Sequence, residues 1–346
     1  LKPRFKEFMK RMWQGCVIDE IHFLKNERAI RSRMAKRICK TIPNVWGLTG
    51  TLTQNRPADL IGPYIVLRRF TEMFNNSLAF KFRYCDAKKT VFGFDWSGAS
   101  NLEELHELLR MGGYIRRDKR DVLKELPPLV SEYVDVPLSN ASEYSKAEEN
   151  LIKYLNESGQ EERVDSALNA EFLVQLNILR QLCIEGKLDF IRKYVKDWLD
   201  ANENDSLVIF GVHKEPLALL AEEFGCPVIQ GGVTPKKRQE IVEGFIARKY
   251  RVLVCNIQAA GTGMDGLQQA SSNMFFVEYP DRYADIEQTV SRLERMGQTL
   301  PVTVTYLMAS GTVDEDYRDM LNDKRSITQT VNDGQSELEF LKRKFR

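Results

Sequence analysis

The sequence lacks the features of a membrane protein or a disulfide-rich secreted scaffold. No apolar run approaches the ~18 residues of a membrane span, and the basic, amphipathic start has no apolar block typical of a secretory signal. The six cysteines include no Cys-x-x-Cys pair, which argues against a zinc site and a disulfide framework. We expect a soluble intracellular protein with reduced thiols and no membrane partner, from the cytoplasm, the nucleus or a virus-infected cell.

An excess of one charge is also missing. Fifty Lys and Arg residues face 49 Asp and Glu residues, for a net charge of +1, so no global field draws the chain toward nucleic acid. Any such affinity must come from local patches, although runs of charge are more often solvated surfaces. The candidate patches are Arg28, Arg31, Arg33, Lys36 and Arg37 in one run and residues 116–120 in another.

Length and apolar pattern predict two α/β domains. The chain has 346 residues, of which 43% are hydrophobic, enough for two cores. Short apolar runs at 15–18 and 45–48 flank a basic helix predicted over 27–40, and each run ends in polar residues. This order predicts buried parallel strands with ligands at their carboxyl edge. Further buried strands are predicted at 207–210, 227–229, 251–254 and 274–277, and an alternating strand at 132–138.

The prolines of Leu126-Pro127-Pro128 mark the predicted domain boundary, because they stop a helix and favour extended chain. The first domain is predicted over 1–126, with an aromatic and glycine-rich insertion at about 64–113. The second is predicted over 127–330, with a two-helix protrusion at about 141–184 joined near Gly159. A charged tail follows at 331–346.

Two adjacent acids and a histidine lie where the first strand meets its loop, in Val17-Ile18-Asp19-Glu20-Ile21-His22. In a nucleotide hydrolase, the first acid of such a pair holds Mg²⁺ through water and the second orients the attacking water. An Asp-Glu pair that opens a helix also fits simple helix capping. The pair alone therefore leaves both interpretations open.

A second cluster lies near the carboxyl end. Gln288, Arg292 and Arg295 fall at i, i+4 and i+7 of a predicted helix, hence on one face. Planar, permanently charged guanidinium groups stabilise charge that spreads over a γ-phosphate. The alternative is a solvated helix whose arginines make surface ion pairs.

The motifs together resemble the Swi/Snf-like branch of the superfamily-two helicases. The matching segments, in the family's order, are Asp-Glu-x-His-x-x-Lys-Asn at 19–26 (motif II), Leu48-Thr49-Gly50-Thr51 (motif III), residues 259–264 (motif V) and 288–298 (motif VI). Inside the insertion, residues 82–88 and 93–102 resemble the HARP-type annealing helicases. The resemblance implies two RecA-like parallel-sheet lobes, the first partial, with helical insertions. It also implies ATP-driven movement on duplex, forked or single-stranded DNA through sequence-independent contacts to the backbone.

Site residues follow from the resemblance. It assigns catalysis to Asp19, which holds Mg²⁺, with Glu20, His22, Gln288, Arg292 and Arg295, and it adds Gly263 and Asp265 to the ATP-binding set. It assigns DNA contacts to Lys25, Thr49, His213, Gly231 and Thr262, and coupling between lobes to Thr49, Gly50, Thr51, Arg116 and Arg117. His213 equally fits an ordinary core or surface histidine. Leu52 stands where the family has proline, and residues 264–267 depart from the usual end of motif V.

The phosphate-binding loop Gly-x-x-x-x-Gly-Lys-Ser/Thr occurs nowhere in the 346 residues. In the family it precedes motif II, and only residues 1–15 precede motif II here. Either an upstream segment or a companion chain supplies it, or the nucleotide site is defunct. We expect the chain alone not to hydrolyse ATP. The alternatives to a motor are a non-catalytic DNA- or protein-binding module and the translocating subunit of a restriction system.

Overall fold

The computed structural model describes residues 4–53, 56–90, 93–117, 119–158, 166–260 and 264–333. Contacts divide the chain into two compact units. Unit 1 comprises residues 1–118, 282–284 and 321–346, and unit 2 comprises residues 119–281 and 285–320. The division after residue 118 precedes the proline boundary expected at 126, and the end of the chain groups with unit 1. No helix of the described residues is long and apolar enough to cross a membrane.

Unit 1 begins with a short helix, which is followed by a strand, a second helix and a second strand that pairs parallel to the first. The elements are α1 (Phe5–Met9), β1 (Gly15–Ile18), α2 (Ile30–Cys39) and β2 (Asn44–Gly47), with Gly15 opposite Asn44. One face of the sheet packs through Cys16, Ile18 and Val45 against α2 and its neighbours. This confirms the predicted parallel strand pair.

The expected burial of these two strands is wrong. Val17 is 60% exposed and Trp46 is 55% exposed, because the described residues form a sheet of only two strands here, covered on one face. Side chains alternate between the faces of a strand. Every second residue of β1 and β2 therefore lies on the uncovered face.

The predicted insertion folds as short helices and a hairpin around aromatic side chains. The elements are α3 (Ile61–Val66), α4 (Phe70–Phe74), α5 (Ser77–Tyr84), β3 (Lys88–Thr90), β4 (Gly93–Asp95) and α6 (Leu102–Met111). Phe74 meets Phe80 edge to face at 4.9 Å between ring centroids and Tyr84 at 6.0 Å. The core extends beyond the insertion, because it also contains Leu52 and the fully buried Val331.

Unit 2 contains a six-stranded parallel sheet in the order β5-β10-β9-β6-β8-β7. The central strands β6 and β8 are buried along their whole length, as expected for a parallel sheet covered on both faces. The elements from residue 119 onward are α7 (Lys119–Val122), β5 (Leu129–Asp135), α8 (Ala141–Ser158), α9 (Ser166–Ala201), β6 (Leu207–Gly211), α10 (Lys214–Glu223), β7 (Val228–Ile229), α11 (Pro235–Ile246), β8 (Val252–Asn256), α12 (Ile257–Ala260), β9 (Asn273–Phe276), α13 (Tyr283–Val290), β10 (Val302–Met308) and α14 (Val313–Asp333).

Four features from residue 119 onward differ from expectation. The strand β10 is not among the predicted ones, and β5 begins three residues before the expected 132. The helix α9 continues past the expected end of the protrusion to Ala201, while the predicted join at Gly159 lies outside the described residues. A charged tail is expected from residue 331, but the helix α14 continues to Asp333. The rest of the expected tail, residues 334–346, lies outside the described residues.

Gly62 fixes the position of the segment after the acid pair. A Cβ at Gly62 would lie 2.0 Å from the Leu24 carbonyl oxygen and 2.9 Å from that of Lys25. Backbone atoms cannot move aside as a flexible side chain can, so α3 and the Leu24–Lys25 segment approach this closely only with glycine.

We predict that Gly62→Ala destabilises the protein by about 1–3 kcal/mol, because the added methyl group overpacks against backbone. The matched control is Gly50→Ala, since a Cβ there has nothing within 4 Å. Thermal or urea unfolding of both variants measures the difference. Equal transitions for the two variants would contradict the proposed close approach.

Candidate functional site

The acid pair follows directly after β1 in unit 1. Asp19 is exposed, and its Oδ1 accepts a hydrogen bond from the Glu20 backbone N–H at 3.0 Å. Glu20 has left-handed backbone angles, φ 50° and ψ 49°, which cost a residue other than glycine about 1–2 kcal/mol. This turn leaves Glu20 Oε2 3.1 Å from His22 Nδ1. Backbone strain of this kind clusters at functional sites.

His22 joins the acid pair to the loop after β2. Its side chain is 2% exposed, and Nδ1 lies 2.8 Å from Thr49 Oγ1. The Thr49 hydroxyl donates to the Thr51 carbonyl at 3.0 Å, so its oxygen accepts from His22 and the imidazole proton lies on Nδ1. The structure therefore brings together His22, Thr49 and Thr51 of the predicted set.

Burial keeps His22 neutral. Desolvation first, and then the positive charges of Lys25 and Arg282, lower the pKa of His22 from 6.5 to about 4, while Asp19 opposes them. Nε2 is buried and has no hydrogen-bond partner among the described residues. At neutral pH His22 is thus a fixed donor at Nδ1 and an acceptor at Nε2.

Three further predicted residues lie in this part of unit 1. Arg116 Nη1 donates to the Gly50 carbonyl oxygen at 2.9 Å, which ties the segment after α6 to the loop after β2. Its neighbour Arg117 is exposed. Lys25 Nζ lies 3.9 Å from Oδ2 of the mostly buried Asp59.

The arginines of unit 2 converge on Asp265. Arg292 Nη1 lies 3.5 Å from Asp265 Oδ1, and Arg295 Nη1 bonds the same oxygen. The expected helical arrangement is wrong, because α13 ends at Val290 and only Gln288 of the three residues is helical. Thr262 and Gly263 lie outside the described residues.

The end of α13 has a local cause. Ser291 donates its hydroxyl proton to the Gln288 carbonyl, and the backbone bonds from Arg292 to Thr289 and from Leu293 to Val290 span three residues instead of four. A serine that bonds nearby backbone offers an alternative to the helical ladder. The chain therefore tightens and leaves the helix one residue before Ser291.

His213 is anchored to a buried acid that the sequence motifs did not reveal. Its Nδ1 lies 2.5 Å from Glu278 Oε1, and the backbone N–H groups of Val212 and His213 donate to Oε2 at 2.8 and 2.9 Å. Burial opposes ionisation of Glu278, yet these hydrogen bonds hold its pKa below the usual value. Gly231 lies in an exposed turn after β7.

The sequence motifs also did not indicate a second buried group, the ion pair of Lys187 and Asp314. Lys187, with 0% exposure, donates to Asp314 Oδ2 at 2.6 Å and to the carbonyl oxygens of Val277 and Leu307 at 2.7 and 3.2 Å. Although desolvation opposes it, the facing charge of Asp314 raises the pKa of Lys187. The only indication of this ion pair in the sequence is a lysine among the apolar residues of α9.

Asp19 suits an ion held through water. Within the described residues, no three His, Cys, Asp or Glu side chains form a metal site. Mg²⁺ in nucleotide sites takes one or two carboxylates and fills its other positions with water and phosphate oxygens. The exposed carboxylate of Asp19 at the strand end fits that pattern.

The parallel α/β fold and the residues at its strand ends define a domain of the helicase type. Residues 1–188 match the family model of the SNF2-related domain, and residues 186–297 match the helicase conserved C-terminal domain. The first match covers more than half of the chain. The chain therefore belongs to the SNF2-related family, in the Swi/Snf-like branch of the superfamily-two helicases, which confirms the resemblance stated above.

Named relatives cover most of this chain. The "SWI/SNF-related matrix-associated actin-dependent regulator of chromatin subfamily A-like protein 1" of Xenopus tropicalis is 30% identical over 91% of this chain and 33% of its own length. The "DNA annealing helicase and endonuclease ZRANB3" of Homo sapiens is 32% identical over 93% of this chain and 30% of its own length. The chain thus spans about a third of these relatives.

Among solved structures, the "Sulfolobus solfataricus SWI2/SNF2 ATPase core in complex with dsDNA" has a TM-score of 0.46 and 19% identity, over 97% of this chain and 74% of that chain. At that score the overlap adds nothing to the family assignment.

The buried histidine predicts a pH dependence of stability. Between pH 6.5 and about 4, His22 is protonated in the unfolded chain and neutral in the folded protein. The free energy of unfolding should therefore fall as pH falls through this window, by about 3 kcal/mol at ~1.4 kcal/mol per pKa unit. Urea unfolding of the native protein and of His22→Gln across that range isolates this component. Parallel curves for the two proteins would contradict the assignment.

Proposed function

We propose that this chain is the greater part of an ATP-dependent DNA translocase motor. One observation carries the proposal: the Asp19–Glu20 pair at the end of β1 is joined through buried His22 to Thr49 at the end of β2. Coupling of nucleotide hydrolysis to movement requires that a change at the acid pair reach another segment of the chain. The hydrogen bond between His22 and Thr49 provides such a connection. The family assignment and the names of the relatives support DNA as the substrate.

The roles proposed for unit 1 are those that the family resemblance implies. Asp19 would hold Mg²⁺ through water, and Glu20 would orient the attacking water. Neutral His22 donates to Thr49 and also lies 3.1 Å from Glu20. A shift of Glu20 during hydrolysis is therefore transmitted to the Thr49–Thr51 loop, and Arg116 extends the connection through Gly50.

In unit 2, Arg292 and Arg295 stabilise charge on the γ-phosphate, and Gln288 accompanies them. Their present partner is the carboxylate of Asp265, which is 67% exposed. With ATP bound, the guanidinium groups would exchange this carboxylate for phosphate oxygens, and Gly263 is proposed as a further ATP-binding residue. ATP supplies the phosphoryl group, and Mg²⁺ neutralises the charge that develops on it.

Hydrolysis requires a segment that carries the phosphate-binding loop, which is absent from the sequence. The uncovered face of β1 and β2, with Val17 and Trp46 more than half exposed, supports a partner segment that packs on this face of the sheet. A two-stranded sheet is only marginally stable by itself. We propose that the segment bearing the loop covers this face, whether joined upstream or supplied by a companion chain.

DNA contacts are proposed at Lys25, Thr49, His213, Gly231 and Thr262, with the basic face of α2 as an additional phosphate-binding surface. Arg33 and Lys36 are exposed on α2, while Ala35 and Ile38 face the interior. Contacts to the phosphate backbone carry no sequence information. We therefore propose translocation that is independent of sequence.

ATP hydrolysis tests the motor. We expect no DNA-stimulated ATPase from the chain alone and clear stimulation when it is joined to, or mixed with, a first-lobe segment that carries the phosphate loop. Glu20→Gln should reduce the stimulated rate by at least a hundredfold, on the scale of about 10²–10⁴ for lost general-base catalysis. Glu203→Gln, at an exposed position after α9, should leave the rate unchanged. Full activity in Glu20→Gln would contradict the motor mechanism, whereas absence of stimulation in the completed native protein would favour a non-catalytic module.

Salt dependence tests the DNA surface. Each phosphate contact should lower log affinity for duplex DNA by about 0.9 per unit of log salt. Arg33→Gln and Lys36→Gln should each reduce that slope by about 0.9, as measured by fluorescence anisotropy. Lys193→Gln, exposed on α9, is the matched control. A flat salt response of the native protein would contradict DNA binding.

A further inference from the structure

A cleft of about 850 Å³ lies in unit 1. It lies between the segment after motif II, the α3 and α5 region, the loop after β4, and the later part of α14. Its walls carry five cationic and two acidic side chains. Of the acids, Asp59 lies 3.9 Å from Lys25. Arg28, Arg56, Lys81 and Lys324 are the other cations on the walls, and Glu27 is the other acid, so the cleft is suited to an anionic ligand.

An aromatic cluster extends from Trp96 in the wall of the cleft onto the surface. We call Phe82, Phe94 and Trp96 the aromatic platform. The Trp96 ring lies 5.2 Å from Phe94 and 5.0 Å from Phe82, between centroids. Phe82 is 48% exposed and Phe94 is 43% exposed. Trp96 itself lines the cleft, with Lys81 Nζ 5.7 Å from its ring centroid.

The loop that carries Trp96 is held in place by hydrogen bonds. The backbone N–H and hydroxyl of Ser97 both donate to the Asp95 carboxylate, at 2.9 and 2.8 Å. The hydroxyl of Ser100 donates to the Arg83 carbonyl at 2.8 Å. Gly98 permits close packing, because a Cβ there would lie 2.7 Å from Asp86 Cβ. The aromatic platform is therefore preorganised, which lowers the entropy cost of binding.

These features explain residues that the motor mechanism does not use. Proteins bind single-stranded nucleic acid with exposed aromatic rings beside cations, because the bases stack on the rings and the phosphates pair with the cations. Paired bases in a duplex are already stacked and do not offer their faces. We propose that the cleft and the aromatic platform bind a short segment of single-stranded DNA, with its bases on Phe82, Phe94 or Trp96 and its phosphates at Arg56 and Lys81.

This site deepens the proposed function, on which it rests only for DNA as the ligand. It does not involve the acid pair, the arginines of unit 2 or ATP. A nucleotide's base and phosphate could equally come from a free mononucleotide. The strand is favoured because the aromatic platform continues beyond the cleft, so it offers more than one stacking position.

Binding of a fluorescent oligothymidylate of about eight nucleotides to the full chain, without ATP, tests the proposal. Phe94→Ala should weaken binding by about five- to a hundredfold, the range for one lost stacking contact. Met111→Ala is the control, because Met111 is 76% exposed on α6 of the same unit and lies outside the cleft. Lys81→Gln should reduce the salt slope by about 0.7, and Lys193→Gln should not.

Tryptophan fluorescence locates the contact. The oligonucleotide should quench emission of the native protein, and Trp96→Phe should remove that quenching while retaining binding. Thermal unfolding verifies that each variant is folded. The proposal is overturned if Phe94→Ala binds the oligonucleotide as Met111→Ala does, or if Phe94→Ala lowers the affinity for duplex and for single-stranded DNA equally. It is also overturned if thymidine monophosphate competes as well as the oligonucleotide. Since no ATP is present, absence of ATPase activity leaves this result intact.

Discussion

Parallel strand pairing is the constraint on which the rest of the structure depends. Parallel strands all end at the same edge, so the residues that follow β1 and β2 lie side by side however far apart they are in sequence. His22 and Thr49 meet at 2.8 Å for this reason. Within unit 2 the same rule brings Glu278, after β9, to the residues that follow β6. The chemistry of each unit is thus built at a strand edge.

Such edges bury polar groups, and each must be compensated. A buried charge without partners is costly, whereas complete hydrogen bonding makes it tolerable. Glu278 receives hydrogen bonds from two backbone N–H groups and from His213. Lys187 satisfies its ammonium group with Asp314 and two carbonyl oxygens. His22 avoids the cost by remaining neutral. Compensation of this kind fixes loops rigidly and holds the candidate site residues in place.

Motifs and strand runs were predictable from sequence because they are local. The strand pairs, the acid pair beside His22 and the position of Thr49 all follow from short patterns. The end of α13 was not predictable, because Ser291 overrides a helical spacing that otherwise looks regular. Exposure of Val17 and Trp46 depends on which segments pack on the second face of the sheet. The partners of Lys187 and His213, and the cleft beside Trp96, come from segments distant in sequence, which no local pattern records.

The ion pairs at Asp265 show why the arginines can serve in the proposed function. Arg295 is 42% exposed and Asp265 67% exposed, and solvent-exposed pairs contribute only about 0–1 kcal/mol. Charge-assisted, bidentate bonds between arginine and phosphate are stronger than a solvated pair of this kind. The carboxylate therefore keeps the Arg295 guanidinium group oriented at little cost to its release, whereas Arg292 is only 16% exposed. An acid buried as deeply as Glu278 could not act in this way, because breaking its bonds would leave a charge in the interior.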